Sequence, residues 1–365
     1  MGIRSLVALV AATVLLLPPT TAAGGSANDG TSDVELVGAF LAGGPITGAA
    51  LLDGYLYVAT PDRLSIYDAS QPLAPRLVGT QPSPHNIYGE LISTDGKTLL
   101  LNDGLAGGTL DVWNVEDKTN PLIVSTVRGV TDEHVSCLLG CSWAYGSDGT
   151  IIDLRHPGDP DKLHENWKEI AGFAKPHLHR VDEFRTGFMA TGPRQGPPMV
   201  VDVRRPLKPR VIASTGVPKN TPSAFLFSTW ARGGRDRYLV TSTEQRRCTS
   251  EREGALVTFD SQGWPKDRHF ELAGSFRYQG RTEQSDNSCA AYYFSLHPDF
   301  DDGGLILLPN GLEGTRIVEV SGRGAIEEVD SFVPPLSDVW LSFWIDEEIF
   351  YALNTTGEVY ILRYG

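Results

Sequence analysis

The chain has 365 residues, of which 45 are Asp or Glu and 31 are Lys or Arg, so its formal net charge at pH 7 is -14. This charge argues against a nucleic-acid partner, because phosphate binding requires a clustered positive surface. A local exception is the group Arg232, Arg235, Arg237, Arg246 and Arg247, for which an ion-paired or solvated loop competes with an anion site.

The first residues have the pattern of a secretory signal peptide. Arg4 supplies a positive charge, residues 6–17 an apolar core, and residues 21–23 a small-residue cleavage site. The apolar run is short for a membrane span, although an uncleaved anchor is the alternative. We therefore predict a signal peptide at residues 1–23, a flexible leader at residues 24–33, and a secreted or extracytoplasmic protein with no transmembrane segment after signal removal.

A repeated pattern of β-strands fills the rest of the chain. Its clearest copy has two alternating strands, at residues 55–60 and 63–68, then a proline-marked turn and a third strand at residues 76–79. Further copies begin near residues 99, 143, 187, 238, 305 and 349. Four short strands in a unit of about 40 to 60 residues indicate a β-propeller, in which neighbouring units bury each other's apolar faces.

We therefore predict an all-β fold, a seven-bladed β-propeller that forms a single domain at residues 34–365. The last unit ends after its third strand, and residues 34–40 match the outer strand at residues 76–79. We expect this N-terminal strand to pair with the C-terminal strand and complete the last blade. Such pairing would remove the two exposed strand edges of an open ring.

The units resemble the LVIVD-repeat family, whose pattern is Tyr-Val-Ala, a turn, Leu-x-Ile-x-Asp, two spaced prolines and Val-Gly. In the first unit the matching segments are residues 57–59, 64–68 and 78–79, together with Pro72 and Pro75. The resemblance covers nearly the whole mature chain and is strongest in the first four units. It implies an exported bacterial propeller, in a family that shares no single activity.

Three histidines occupy similar places in consecutive units, near the start of the strand that lines the central channel. They are His85, His134 and His177, and His179 lies two residues after the last of them. Imidazole is the commonest protein ligand for transition metals, so these side chains could meet around Zn, Cu or Fe. The alternative is a polar channel mouth in which the histidines bind water and neighbouring loops.

Acidic residues near these histidines extend the metal hypothesis to catalysis. Glu133 and Glu90 are the candidate catalytic residues, because a carboxylate beside a metal-bound imidazole can orient the ring or act as a base. Together the residues would form a metal site with an open position for water or substrate.

Four cysteines in an exported chain favour disulfides over free thiols. Cys137 and Cys141 flank a short hairpin-like link, so a local bridge between them is possible. Cys248 and Cys289 are expected on the same face in neighbouring blades, which allows a second bridge. A zinc site of four cysteines is disfavoured, because the sequence lacks the usual paired CxxC spacing.

Two functions fit this sequence. The first is a monomeric binding or scaffold module that uses its loop face and central channel to hold a small molecule, glycan or protein. The alternative is a metal-dependent enzyme of oxidase or hydrolase type with a histidine-lined site at the channel mouth. The absence of a complete catalytic signature in the sequence favours the first function, and the recurrence of histidine at one blade position favours the second.

Overall fold

The structure of the protein is a computed structural model that describes most of the chain from residue 32 onward. The described residues are 32–87, 92–103, 108–130, 134–147, 149–163, 166–171, 178–185, 188–193, 198–215, 225–230, 237–243, 255–261, 269–278, 291, 293–311, 313–335 and 338–365. Within these ranges the only helix is a single turn, α1 (Trp167–Ile170). No helix in these ranges is long and apolar enough to cross a membrane. The predicted signal peptide at residues 1–23 lies outside the described residues.

The strands form consecutive four-stranded meanders, which we number as blades in chain order. Blade 1 contains β2 (Gly48–Leu52), β3 (Tyr55–Thr60), β4 (Arg63–Asp68) and β5 (Arg76–Pro82). Blade 2 contains β6 (Ser93–Thr94), β7 (Thr98–Asn102), β8 (Thr109–Asn114) and β9 (Leu122–Arg128). Blade 3 contains β10 (Val135–Leu138), β11 (Trp143–Gly146), β12 (Ile151–Asp153) and β13 (Asp161–Leu163).

The remaining blades follow the same order of strands. Blade 4 contains β14 (Leu178–Arg185), β15 (Phe188–Pro193), β16 (Met199–Asp202) and β17 (Arg210–Thr215). Blade 5 contains β18 (Phe225–Trp230), β19 (Tyr238–Thr243), β20 (Leu256–Asp260) and β21 (His269–Phe276). Blade 6 contains β22 (Ser295–Leu296), β23 (Gly304–Pro309), β24 (Thr315–Val320) and β25 (Ile326–Phe332). Blade 7 contains β26 (Val339–Trp344), β27 (Ile349–Asn354), β28 (Glu358–Tyr364) and the N-terminal strand β1 (Val34–Leu41).

The predicted all-β propeller is confirmed, although the described strands form six hydrogen-bonded sheets rather than seven. Blades 4 and 5 share an eight-stranded sheet, because their outer strands pair in parallel where Ser214 lies opposite His269 and Thr215 opposite Phe270. Each half of that sheet keeps the four-strand order of the other blades. First strands of neighbouring blades contact each other at β2 and β6, β6 and β10, β10 and β14, β14 and β18, and β22 and β26. These contacts place the first strands around the centre of the ring.

The ring closes through β1, as the sequence predicts. This strand is antiparallel to β28 and forms the outer edge of blade 7. It extends one residue beyond the predicted segment 34–40. The aromatic ring of Phe40 then lies 4.9 Å from that of Tyr67 in blade 1 and 6.3 Å from that of Tyr351 in blade 7. The N-terminal strand therefore contributes both backbone pairing and apolar packing to closure.

The turn between the third and fourth strands has a common structure in four blades. An Asp or Asn side chain at the end of the third strand accepts a hydrogen bond from the backbone N–H two residues later, which defines an Asx turn. These pairs are Asp68 with Ser70, Asn114 with Glu116, Asp153 with Arg155, and Asp202 with Arg204. The acidic position of the repeat is therefore a turn-forming position.

In three blades the turn between the third and fourth strands also provides a docking point for the preceding blade. Buried tyrosines donate a hydrogen bond to a turn carbonyl of the next blade: Tyr351 to Pro72 at 2.6 Å, Tyr145 to Pro206 at 2.9 Å, and Tyr238 to Gly322 at 3.0 Å. The outer strand approaches the next turn closely as well. A Cβ atom on Gly79 would lie 2.0 Å from the carbonyl oxygen of Lys118, so a side chain at this position of blade 1 would force the backbone to move.

Two tyrosines in equivalent strands allow this contact between blades to be tested. The Tyr351 hydroxyl links blades 7 and 1, whereas among the described residues the buried Tyr57 hydroxyl has no hydrogen-bond partner. Burial raises the pKa of both phenols, that of Tyr57 to about 12. We expect Tyr351→Phe to lower the free energy of unfolding by about 1–3 kcal/mol, because the Pro72 carbonyl loses its donor. Tyr57→Phe should leave that free energy unchanged or raise it.

Denaturant unfolding of the wild type and the two variants measures these changes. Equal losses of stability in both variants would show that the hydroxyl of Tyr351 has no particular role in joining the blades.

Candidate functional site

The two faces of the ring carry different connections. Because strands alternate in direction within a blade, connections between blades lie on the same face as turns between second and third strands. We call this the upper face, and the face with the remaining turns the lower face. His85 lies in the connection between β5 and β6, and His134 directly precedes β10, so both belong to the upper face.

His85 is paired with a buried carboxylate. Its Nδ1 atom lies 2.9 Å from Oδ2 and 3.1 Å from Oδ1 of Asp111. The Asp111 side chain is 3% exposed and that of His85 is 33% exposed. A hydrogen bond of 2.6 Å from the Thr126 hydroxyl to Oδ1 holds the carboxylate in place. The group therefore joins a fixed, buried acid to an imidazole that solvent can reach.

The β8–β9 ladder explains how the acid is positioned. Asp111 lies directly opposite Thr126 in this antiparallel pair, which brings their side chains to the same face of the blade. Trp113, two residues further along β8, points the same way and packs in the apolar cluster between blades 1 and 2. Asp111 therefore faces blade 1, from which the chain carrying His85 arrives.

This geometry determines what the His85 imidazole can do. A carboxylate that accepts a hydrogen bond from Nδ1 orients the ring and leaves the lone pair of Nε2 on the far side. In the neutral imidazole, Nε2 can then act as a base, a metal ligand or an acceptor for a ligand N–H or O–H group. The acid that performs this orienting role is Asp111, whereas the predicted catalytic residues Glu90 and Glu133 lie outside the described residues.

The other predicted ligands are only partly covered by the described chain. His134 is buried, and its backbone exchanges hydrogen bonds with Ser147 where β10 begins. His177 lies outside the described residues, and for His179 the structure describes only the backbone, in β14. Within the described part of the chain, no three His, Cys, Asp or Glu side chains are grouped as a metal site would require. The metal site remains a prediction.

An apolar pocket of about 110 Å³ opens on the upper face between blades 1 and 7. Its described lining consists of Ile46, Thr47, Gly48, Trp340, Leu341, Leu353, Asn354 and Thr355. Since β2 and β26 are first strands, the pocket borders the centre of the ring. The Asn354 amide is already bonded to Glu358, with Nδ2 2.7 Å from the carboxylate and Oδ1 2.7 Å from the backbone nitrogen. A ligand would therefore meet mainly apolar walls.

The predicted bridge between Cys137 and Cys141 is confirmed. It spans the turn between β10 and β11 on the lower face, where Leu139, Gly140 and Cys141 all have positive φ angles of 50–61°. Left-handed backbone is unfavourable for residues with a Cβ atom, so the covalent link helps to hold a costly turn. The predicted bridge between Cys248 and Cys289 lies outside the described residues.

Basic residues are distributed differently from the sequence-based expectation. Of the predicted arginine cluster only Arg237 is described, and its guanidinium pairs with Asp260 at 3.5 Å and donates to the Gly322 carbonyl at 2.8 Å. This favours the ion-paired interpretation for Arg237. The basic turn at residues 203–209 and the role of Asp111 were not predicted from the sequence. The available signal for Asp111 was a carboxylate between the buried residues Leu110 and Val112.

Two comparisons with known proteins were made. A scan against models of protein families found no match, and a search among curated proteins found no similar sequence. The fold and the geometry of the upper face therefore carry the functional argument.

Proposed function

We propose that the protein is an exported binding module whose upper face holds a ligand at the centre of the propeller. The observation that carries this proposal is the apolar pocket between blades 1 and 7. Concave apolar sites with a few polar groups at the rim are the usual form of ligand sites. Here Thr47 and Thr355 provide such a rim, while the side chains of Leu341 and Leu353 form part of the wall.

The size of the pocket indicates what it would accept. A cavity of about 150 Å³ suffices for benzene in an engineered protein, so the 110 Å³ here suits one small apolar group rather than a whole large molecule. The rest of the ligand would extend over the upper face, toward connections such as the one that carries His85. The proposed ligand is therefore a small molecule, or a side chain or substituent of a larger partner, that inserts one apolar group.

Export is part of the proposal and rests on two observations. The first is the charged, apolar and small-residue pattern of residues 1–23. The second is the Cys137–Cys141 disulfide, since such bonds persist mainly in oxidising compartments. We expect expression in a secreting bacterial host to yield a protein outside the cytoplasm that begins at Gly24. Intact-mass measurement tests this, and an exported protein that keeps residues 1–23 would contradict cleavage.

A large side chain introduced at the rim should fill the pocket, and a neighbouring exposed position provides a matched control. Thr355 lines the pocket, whereas the adjacent Thr356 is exposed on the same turn. We expect phenol and indole, used as probes, to show saturation-transfer NMR signals with the wild type. Thr355→Trp should weaken this binding at least about tenfold by occupying the cavity, and Thr356→Trp should not. Absence of binding to the wild type, or equal binding to both variants, would contradict the proposal.

The alternative function, a metal-dependent enzyme, is favoured by one specific contact. Metal-bound histidines commonly donate their second ring N–H to a carboxylate, and the pairing of His85 with Asp111 has that form. In this hypothesis His85, His134 and His177 hold Zn, Cu or Fe, and a neighbouring carboxylate acts as base. Binding by the pocket does not require this chemistry, so the two functions can be separated.

Metal analysis of protein purified without chelators tests the alternative. If the enzyme hypothesis holds, the wild type should contain close to one transition-metal ion per chain, and His85→Ala should lose it. Asp111→Asn should weaken metal binding by about 10–100-fold through loss of ring orientation. His156→Ala, in an exposed turn on the lower face, is the control and should retain the metal. A wild-type protein without bound metal that remains metal-free after dialysis against zinc would exclude this function.

A further inference from the structure

A basic turn on the lower face of blade 4 lies apart from the pocket and the histidines. It connects β16 with β17, and residues 204–210 contain Arg204, Arg205, Lys208 and Arg210. Together with Asp202 these side chains are the described lining of a cavity of about 530 Å³. This volume lies within the range of small-molecule binding sites.

One buried carboxylate organises two of the arginines. The Asp202 side chain is 7% exposed, and it accepts hydrogen bonds from Nε of Arg204 at 3.0 Å and from Nη2 at 2.8 Å. Nη2 of Arg210 donates to the same carboxylate at 3.1 Å. The guanidinium of Arg204 holds the pKa of Asp202 down, at about 2. Both guanidiniums are thus oriented, yet their side chains remain 59% and 69% exposed.

Comparison with the same turn in other blades shows which charges the fold requires. In blade 1 the turn aspartate Asp68 pairs with Arg76, and in blade 3 Asp153 pairs with Arg155. Each turn thus forms with a single arginine partner. Blade 4 has both partners, at the positions of Arg76 and Arg155, and adds two further cations. The Asx turn itself does not explain this excess.

The excess produces a local positive charge on an acidic protein. Four cationic side chains and one carboxylate surround the cavity, which leaves a formal charge of four minus one, or +3. Arg205 and Lys208 are exposed, and neither has an ion-pair partner among the described residues. A backbone hydrogen bond from Lys208 to the Arg205 carbonyl, 2.8 Å long, keeps these residues on one turn. Like charges that line one cavity repel each other, and a bound anion would relieve this repulsion.

We propose that this cavity binds a phosphate-bearing ligand with at least two negative charges. Guanidinium groups bind phosphate oxygens through paired N–H donors, and the Asp202 carboxylate presents two of them in a fixed orientation. Arg205 and Lys208 supply the additional charge. The site is independent of the apolar pocket, since it lies on the opposite face of the ring. A soluble phosphate ester and a phospholipid headgroup share this chemistry, and binding to vesicles separates the two.

Inorganic pyrophosphate is the probe for the soluble arm of the test. We expect calorimetry at low ionic strength to show binding to the wild type that weakens as salt is added. The double variant Arg205→Gln/Lys208→Gln should bind at least about tenfold more weakly. Because both side chains are exposed, its melting temperature should stay close to that of the wild type. Arg76→Gln removes the equivalent turn arginine of blade 1 and should leave pyrophosphate binding unchanged.

Vesicles form the second arm of the test. Co-sedimentation with phosphatidylcholine vesicles that contain phosphatidic acid, a phosphomonoester, and not with phosphatidylcholine alone, would assign the phosphate to a lipid headgroup if the double variant abolishes it. Binding of pyrophosphate without vesicle binding would assign it to a soluble ester. Absence of both activities in the wild type, or full retention of either in the double variant, would overturn the proposal.

Discussion

Pairing of the first described strand with the last one is the constraint on which the rest of the structure depends. Without β1, blade 7 would have three strands and an exposed edge at β28. The same closure brings together the walls of the upper-face pocket, because Ile46 belongs to the beginning of the propeller and Leu353 to its end. The hydrogen bond from Tyr351 to Pro72 also joins blade 7 to blade 1. The proposed ligand site therefore exists only in the closed ring.

The repeated sequence mainly encodes the packing of one blade against the next. In blade 1 the acidic position forms an Asx turn and Gly79 admits a neighbouring backbone carbonyl, and in blade 7 Tyr351 donates to the turn of the next blade. These contacts hold blades together, whatever the protein binds. A resemblance carried by such positions therefore bears on fold more than on activity.

Candidate functional residues lie where the chain departs from its own repeat. Asp111 stands opposite Thr126, at the place where blade 1 has Ser65 opposite Thr80. The hydroxyls of the blade 1 pair lie 3.4 Å apart, whereas the carboxylate in blade 2 also binds His85. The cations Arg205 and Lys208 are a second departure. Packing of the blades requires neither Asp111 nor the two cations. Ligand binding, as proposed above for both regions, would explain them.

The sequence by itself was sufficient to predict the β-propeller, the closing strand and the Cys137–Cys141 disulfide. Alternating apolar residues and turn residues are local features of the sequence, and their recurrence in successive units makes the pattern easier to recognise. Histidine spacing likewise placed His85 and His134 on the upper face. Only the tertiary structure showed that Asp111 is the acid beside His85, that blades 4 and 5 share a sheet, and that residues about 300 positions apart form one pocket. These are contacts between blades, and a strand pattern does not specify which side chains meet across a ring until the ring has closed.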